Sequence, residues 1–288
     1  MNAKLRDAIK KKDGWWATLF SGPLANILLR PICDISWITP NLITVSSLGI
    51  GILAGLCFAQ GKYSFLVIGA FLVQLSFVVD CMDGQLARYR QQFSKLGAWL
   101  DRISDRVKDF WYFFTLAWGF YSIHPQVFFL GPKNLSDFLA FVLGPKVFQL
   151  PAFLSMCLMK QSEISSWIIW PLAMIAMFSV FLIDYYVNQD MKLEAAPDSH
   201  APTGLAMTEA KQSPSFALNL IKSFFKFGLN VYKSVPILRF NIGEQALLIS
   251  IFCLLNSVYH LMCVFALLGT FYLFYWPVAK YFGFSPEK

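Results

Sequence analysis

The chain has 288 residues, of which 57% are hydrophobic and only 14% are charged. A soluble domain carries roughly 25% charged residues, so the composition excludes an ordinary soluble protein and predicts an all-α polytopic membrane protein. The net charge of +7 comes from basic residues beside apolar segments, which favours anionic lipid headgroups and phosphate substrates over nucleic acid as partners.

The first segment, residues 1–38, mixes lysines and arginines with large apolar side chains. This mixture predicts an amphipathic helix lying in the membrane interface, and the segment lacks the cleavage pattern of a removable signal peptide. Thr39-Pro40 then predicts the start of a helix, and its apolar run reaches residue 59.

Gln60-Gly61-Lys62 predicts a turn, after which a second apolar run covers residues 63–79 and stops at Asp80. Four later apolar segments complete the predicted membrane spans, at residues 107–123, 167–187, 246–255 and 258–276. Prolines interrupt residues 124–162, which indicates a re-entrant or interfacial pair of short helices, or alternatively a spanning hairpin.

The six predicted transmembrane helices, with the segments between them, divide the chain into four predicted regions. An interfacial segment (1–38) precedes helices one to four (39–187); a cytoplasmic linker with a second amphipathic helix (188–240) then precedes helices five and six (241–288). Within the third region, residues 188–214 form the linker and residues 216–238 the interfacial helix. Basic residues concentrate on the side that holds both termini, which predicts a cytoplasmic orientation for residues 80–105.

Residues 80–105 carry an unusual polar pattern at the end of an apolar helix. Asp80 and Asp83 are three residues apart, and Asp101 and Asp105 are four apart, so each pair lies on one helix face. Two antiparallel helices joined by residues 89–96 would bring the four carboxylates together. Such oxygen ligands suit Mg²⁺ or Mn²⁺ with phosphate as a co-ligand.

Three smaller features of the pattern fit a diphosphate ligand. Gly84 and Gly97 allow close approach to the backbone, and the Arg88 guanidinium can bind two phosphate oxygens at once. The eight fixed positions would match by composition alone with a probability on the order of 10⁻¹⁰ per starting site.

The pattern D-x2-D-G-x2-A-R-x8-G-x3-D-x3-D resembles the signature of the CDP-alcohol phosphatidyltransferases. Thr39-Pro40-Asn41 to Thr44 is similar to the start of that family's first membrane helix, and residues 241–245 resemble the start of its fifth. Residues 124–162 and 188–214 depart from the family layout. The resemblance implies a homodimeric, integral membrane enzyme of phospholipid biosynthesis, placed in the inner membrane if the source is bacterial.

The resemblance also implies roles for individual residues. Asp80, Asp83 and Asp101 would hold two divalent ions, with Asp105 completing the second metal site and acting as general base. The CDP part of the donor, CDP-diacylglycerol, would contact Gly84, Arg88 and Ser94. The remaining implied donor-site residues would lie nearby or leave room for it: Asn41, Thr44, Ala87 and Gly97.

Arg102, Arg106 and Lys108 lie on the same predicted helix as Asp101. They either balance charge beside the carboxylates or bind an acceptor phosphate or an anionic headgroup. The acceptor stays open between glycerol phosphate, serine, inositol or its phosphate, and other alcohols, although Arg106 directly after Asp105 resembles inositol-phosphate-type members.

Two other functions remain as alternatives. A membrane prenyltransferase also uses aspartates, Mg²⁺ and a diphosphate, but two separated aspartate motifs would be expected there. A non-enzymatic cation transporter could use the acidic cluster, but this hypothesis gives no role to Arg88 or to the glycines.

Overall fold

The computed structural model describes residue 8 and residues 14–123, 169–181 and 242–281, with side chains in the last helix as far as residue 269. Within this part of the chain all regular structure is helical, which confirms the all-α class. The helices are α1 (Ala17–Leu29), α2 (Pro40–Ala59), α3 (Tyr63–Arg90), α4 (Lys95–Ile123), α5 (Ile169–Phe181), α6 (Ile242–Leu254) and α7 (Val258–Tyr281).

The predicted start and end of α2 are confirmed. The Thr39 side chain accepts a hydrogen bond from the Leu42 N–H at 3.2 Å, and Pro40 occupies the first helical position, where its missing N–H is harmless. After Ala59 the chain turns at Gly61, whose φ of +69° suits a residue without a Cβ. Helix α3 then begins at Tyr63.

Helix α3 continues through the polar motif and ends beyond it, at Arg90. Gln91 adopts a left-handed conformation (φ 55°), and the Ala87 carbonyl accepts a hydrogen bond from the Gln92 N–H at 2.9 Å. The next helix starts at Lys95, where the Ser94 hydroxyl oxygen accepts a bond from the Gly97 N–H at 2.9 Å. The connection is therefore residues 91–94, shorter than the predicted 89–96, because caps at both ends extend the helices.

Helix α1 turns its polar side chains toward the protein. The Asn26 side-chain amide donates to Gln85 Oε1 at 3.3 Å, and the Gln85 amide donates to the Gly22 carbonyl at 2.9 Å. Leu19 and Ile27 are instead 72% and 53% exposed. The outward apolar face is what a helix in a membrane interface requires.

Arg90 is hydrogen-bonded to the backbone of the connection between α1 and α2. Its guanidinium donates hydrogen bonds to the carbonyls of Cys33 (2.8 and 3.0 Å), Ile35 (2.7 Å) and Ile38 (2.6 Å). These charge-assisted hydrogen bonds supply donors to carbonyls that lie outside the helices. They also fix the position at which α2 begins beside the end of α3.

Helix α2 packs against both α3 and α4. It approaches α4 closely because Gly119 has no side chain: a Cβ there would collide with the Phe58 carbonyl. The Trp111 indole N–H donates to the Ile52 carbonyl at 3.0 Å across the same interface. Helix α6 packs on the other side of α3, where the Gln74 amide donates to the Ala246 carbonyl at 2.9 Å.

Two described helices, α2 and α3, are long and apolar enough to cross a membrane. Helix α6 contains residues 242–245, part of the stretch that resembles a helix start, and a short connection joins it to α7. The predicted features at residues 124–162, 188–214 and 216–238 lie outside the described residues.

Candidate active site

Three of the four motif carboxylates converge, as the sequence predicts. Asp80 on α3 and Asp101 and Asp105 on α4 each place a carboxylate oxygen within 4.8 Å of the others. Asp80 and Asp101 are half-buried and Asp105 is buried. Like charges this close repel one another unless cations lie among them.

The fourth carboxylate, Asp83, is buried and bonded to α2. The Thr44 hydroxyl donates to Asp83 Oδ2 at 2.5 Å. One turn further along α2, the Ser47 hydroxyl lies 3.2 Å from Asp80 Oδ1. Thr44 is thus a partner of a predicted metal ligand, and Ser47 is a site residue that the sequence analysis missed. Its three-residue spacing from Thr44, matching that of Asp80 and Asp83, is the signal that could have found it.

A lysine lies inside the carboxylate group. Lys108 Nζ is 2.6 Å from Asp80 Oδ1 and 3.0 Å from Asp105 Oδ1, and its side chain is only 7% exposed. Of the two roles predicted for Lys108, the structure shows charge balance beside the carboxylates. The neighbouring Arg106 makes a separate ion pair with Asp109 at 3.3 Å.

Asp105 is in the least solvated environment of the three converging carboxylates. Burial raises its pKa well above the ordinary value; the negative charge of Asp80 raises it further, while Lys108 opposes the shift. Apart from the ion pair, Asp105 Oδ1 has no hydrogen-bond donor among the described residues. Hard oxygen donors at this spacing, with coordination capacity left over, fit a Mg²⁺ or Mn²⁺ site.

Three predicted donor-site residues lie together at the start of α4. A Cβ added to Gly97 would lie 2.9 Å from both Asn41 Oδ1 and Ser94 Oγ. The glycine therefore leaves a space that both polar side chains border. Ser94 also caps α4, so any contact with a donor would be made by a residue whose position the helix fixes.

The guanidinium of Arg88 lies beside Gly84, the other glycine of the motif. A Cβ added to Gly84 would be 3.3 Å from a terminal nitrogen of the Arg88 guanidinium. Arg88 Nε donates to the carbonyl of Ala8 at 2.6 Å. Half-buried Ala87 lies one residue before it and accepts bonds at the end of α3. The donor contact proposed for Arg88 and the room that Ala87 would leave for the donor stay predictions.

The resemblance implies that Arg88 binds the donor, CDP-diacylglycerol. On that basis we expect Arg88→Ala to weaken its binding by about 10- to 100-fold, because a charged hydrogen bond contributes about 1.5–3 kcal/mol. Exposed Arg30 offers a matched control, and Arg30→Ala should leave the affinity unchanged. Donor affinity is measured from the rise in melting temperature with added CDP-diacylglycerol. Equal affinity in the Arg88 variant and the wild type would remove the proposed role.

A cavity of about 20 Å³, room for about one water molecule, borders Asp105 and Lys108. Tyr112 on α4, Ser76 on α3 and Gln245 on α6 also line it. The sequence analysis assigned none of these three residues to the site, because they come from separate elements that only the packing brings together.

Residues 37–143 match the family model described as CDP-alcohol phosphatidyltransferase. Over this segment the chain is similar to the CDP-alcohol phosphatidyltransferases. The match includes α2, α3, α4 and every predicted site residue. It also extends over residues 124–143, part of the stretch that the sequence analysis treated as a departure from the family layout.

Curated relatives agree with this family. A phosphatidylinositol phosphate synthase of Cutibacterium acnes is 31% identical over 134 residues, which is 46% of this chain and 56% of the relative. A bifunctional IPC transferase and DIPP synthase of Aquifex aeolicus is 35% identical over 79 residues, 27% of this chain and 18% of the relative. An archaetidylinositol phosphate synthase of Aeropyrum pernix is 32% identical over 88 residues, 31% of this chain and 43% of the relative. The chain thus spans about half or less of these relatives.

Proposed function

We propose that the chain transfers a phosphatidyl group from CDP-diacylglycerol to a hydroxyl acceptor and releases CMP. The observation that carries this proposal is the convergence of Asp80, Asp101 and Asp105 within a segment that matches the CDP-alcohol phosphatidyltransferase family model. A negatively charged diphosphate must be bound by cations. The four carboxylates would provide these cations by holding divalent metal ions, which in turn bind the phosphate oxygens.

Two divalent cations, Mg²⁺ or Mn²⁺, would be held with the donor by Asp80, Asp83, Asp101 and Asp105. When bound, such ions polarise a phosphoryl oxygen and neutralise charge on a leaving group. The chain's own contribution is to orient the ligands. The Thr44 and Ser47 hydroxyls hold Asp83 and Asp80 from α2, as outer partners do in metal sites generally.

Asp105 would act as the general base. An acceptor hydroxyl oxygen attacks the β-phosphorus of the donor, the bond from that phosphorus to the CMP oxygen breaks, and Asp105 takes the hydroxyl proton. The products are a phosphodiester lipid and CMP.

The donor's CDP part would lie between the start of α4 and the end of α3. Ser94, Arg88 and Gly84 would contact it, and Arg88 would bind phosphate oxygens. Asn41, beside the open space at Gly97, and Thr44 would lie nearby. Ala87 and Gly97 would leave room for the ligand. All these residues lie within the matched segment.

For the acceptor we propose a phosphorylated inositol. Two of the relatives are named as inositol phosphate lipid synthases. Arg106, which directly follows the proposed base, independently resembles inositol-phosphate-type members. A phosphorylated alcohol also agrees with the excess of basic over acidic residues in the chain.

We further propose that the protein is a homodimer with six membrane spans per chain and that the site faces the cytoplasm. The two long apolar helices, the exposed apolar face of α1 and the family membership support this arrangement. Lipid-facing side chains would surround the spans, while the carboxylates lie at their polar end.

The deciding experiment incubates purified full-length protein with CDP-diacylglycerol, Mg²⁺ and a panel of acceptors, and it measures CMP release. The panel contains inositol phosphate, inositol, glycerol phosphate and serine. We expect release with inositol phosphate and formation of a lipid that carries its headgroup. Release with another acceptor would correct the substrate, and no release with any alcohol would reject the transferase.

Two controls separate the other functions. Prenyl diphosphate with an aromatic acceptor tests the prenyltransferase, which would release diphosphate and no CMP. Vesicles loaded with a Mg²⁺ indicator test the transporter, which would carry ions without CMP release. We expect neither result.

A further inference from the structure

Lys108 points into the carboxylate group and not toward the surface. Long lysine side chains beside a membrane commonly extend toward water. Here the side chain is 7% exposed, and its nitrogen lies 2.6 Å from Asp80 and 3.0 Å from Asp105. The positively charged ammonium of Lys108 therefore neutralises part of the negative charge of these carboxylates, as a bound metal ion would.

Residues of α2 make room for the Lys108 side chain and contact its nitrogen. A Cβ added to Gly51 on α2 would lie 3.0 Å from Lys108 Cγ and 3.2 Å from Cδ, so the glycine makes room for the lysine stem. The nitrogen also lies 3.3 Å from the Ser47 hydroxyl oxygen. Helix α2 thus positions both ends of the side chain.

The Lys108 ammonium competes with a divalent ion for the same carboxylates. Mg²⁺ binds carboxylate oxygens at about 2.0–2.1 Å. Lys108 Nζ contacts one carboxylate oxygen of Asp80 and one of Asp105, so a divalent ion held by these two residues on the same side would have to displace it. Charge repulsion adds to this steric conflict.

We propose that in the donor-free chain Lys108 occupies one of the two cation positions among the carboxylates. One divalent ion then binds readily, and a second binds at least about tenfold more weakly until the lysine moves aside. This inference rests on the proposed function, which assigns two ions to the site when donor is present.

The test counts Mn²⁺ bound per chain in purified, donor-free, full-length protein, from the electron paramagnetic resonance signal of free Mn²⁺. We expect one strong site in the wild type and two in Lys108→Met. Exposed Lys95, on the same helix, gives the matched control, and Lys95→Met should bind one ion. Lys108→Arg keeps the positive charge and should also bind one.

Two equally strong sites in the wild type would overturn the inference and leave the metal site standing, and this measurement needs no variant to fold. A single site in a folded Lys108→Met protein, verified by its melting temperature, would also overturn it. No Mn²⁺ binding in any protein would reject the inference together with the proposed metal site.

Discussion

Asp105→Asn is expected to lower the rate of phosphatidyl transfer by about 10² to 10⁴-fold, the usual contribution of a general base. The amide keeps the size of the side chain but can neither accept the acceptor's proton nor carry a negative charge. Donor binding should be largely preserved, because the predicted donor contacts belong to other residues. The measurement is CMP release under saturating donor, together with donor affinity.

Asp34→Asn is the matched control, because Asp34 is exposed and lies in the connection between α1 and α2. It should retain wild-type turnover. Normal turnover in Asp105→Asn would reject the base assignment. Loss of both turnover and donor affinity would instead indicate that Asp105 serves mainly as a metal ligand.

Removing divalent ions is expected to abolish CMP release. Without them, four carboxylates remain with Lys108 as the cation that contacts two of them, and this arrangement would repel a diphosphate. Excess EDTA should lower activity at least about 100-fold, a loss of several kcal/mol of the kind attributed to metal catalysis.

Readdition of Mg²⁺ or Mn²⁺ in excess over the chelator should restore the rate, which shows that the loss is reversible and that the fold survives. The Arg30→Ala protein should respond in the same way as the wild type. Full activity in excess EDTA would contradict the metal-dependent mechanism and leave the family assignment of residues 37–143 unaffected.

Local sequence signals predict the helices around the site well. Thr39-Pro40 and Gly61 each act on the backbone within a few residues, and the structure uses them as a cap and a turn. The cap at Ser94 was not predicted, so the connection between α3 and α4 is shorter than expected. The carboxylate spacing likewise reports helix periodicity, so the convergence of Asp80 with Asp101 and Asp105 follows from the pattern.

The direction of Lys108 could not be predicted in the same way. Whether it faces solvent or the carboxylates depends on the rotation of α4 and on the space left by Gly51, a residue far away in sequence. The inward polar face of α1 has a similar origin, because Asn26 finds its partner in Gln85 on another helix. Tertiary packing decides both.

The two hydroxyl bonds from α2 have a mechanical consequence. Thr44 and Ser47 meet Asp83 and Asp80 at matching intervals, so α2 can slide along α3 only by breaking both bonds. Membrane helices adapt to bilayer thickness by tilting. Helices α2 and α3 would tilt as one body, and the arrangement of these side chains would be the same in thin and thick bilayers.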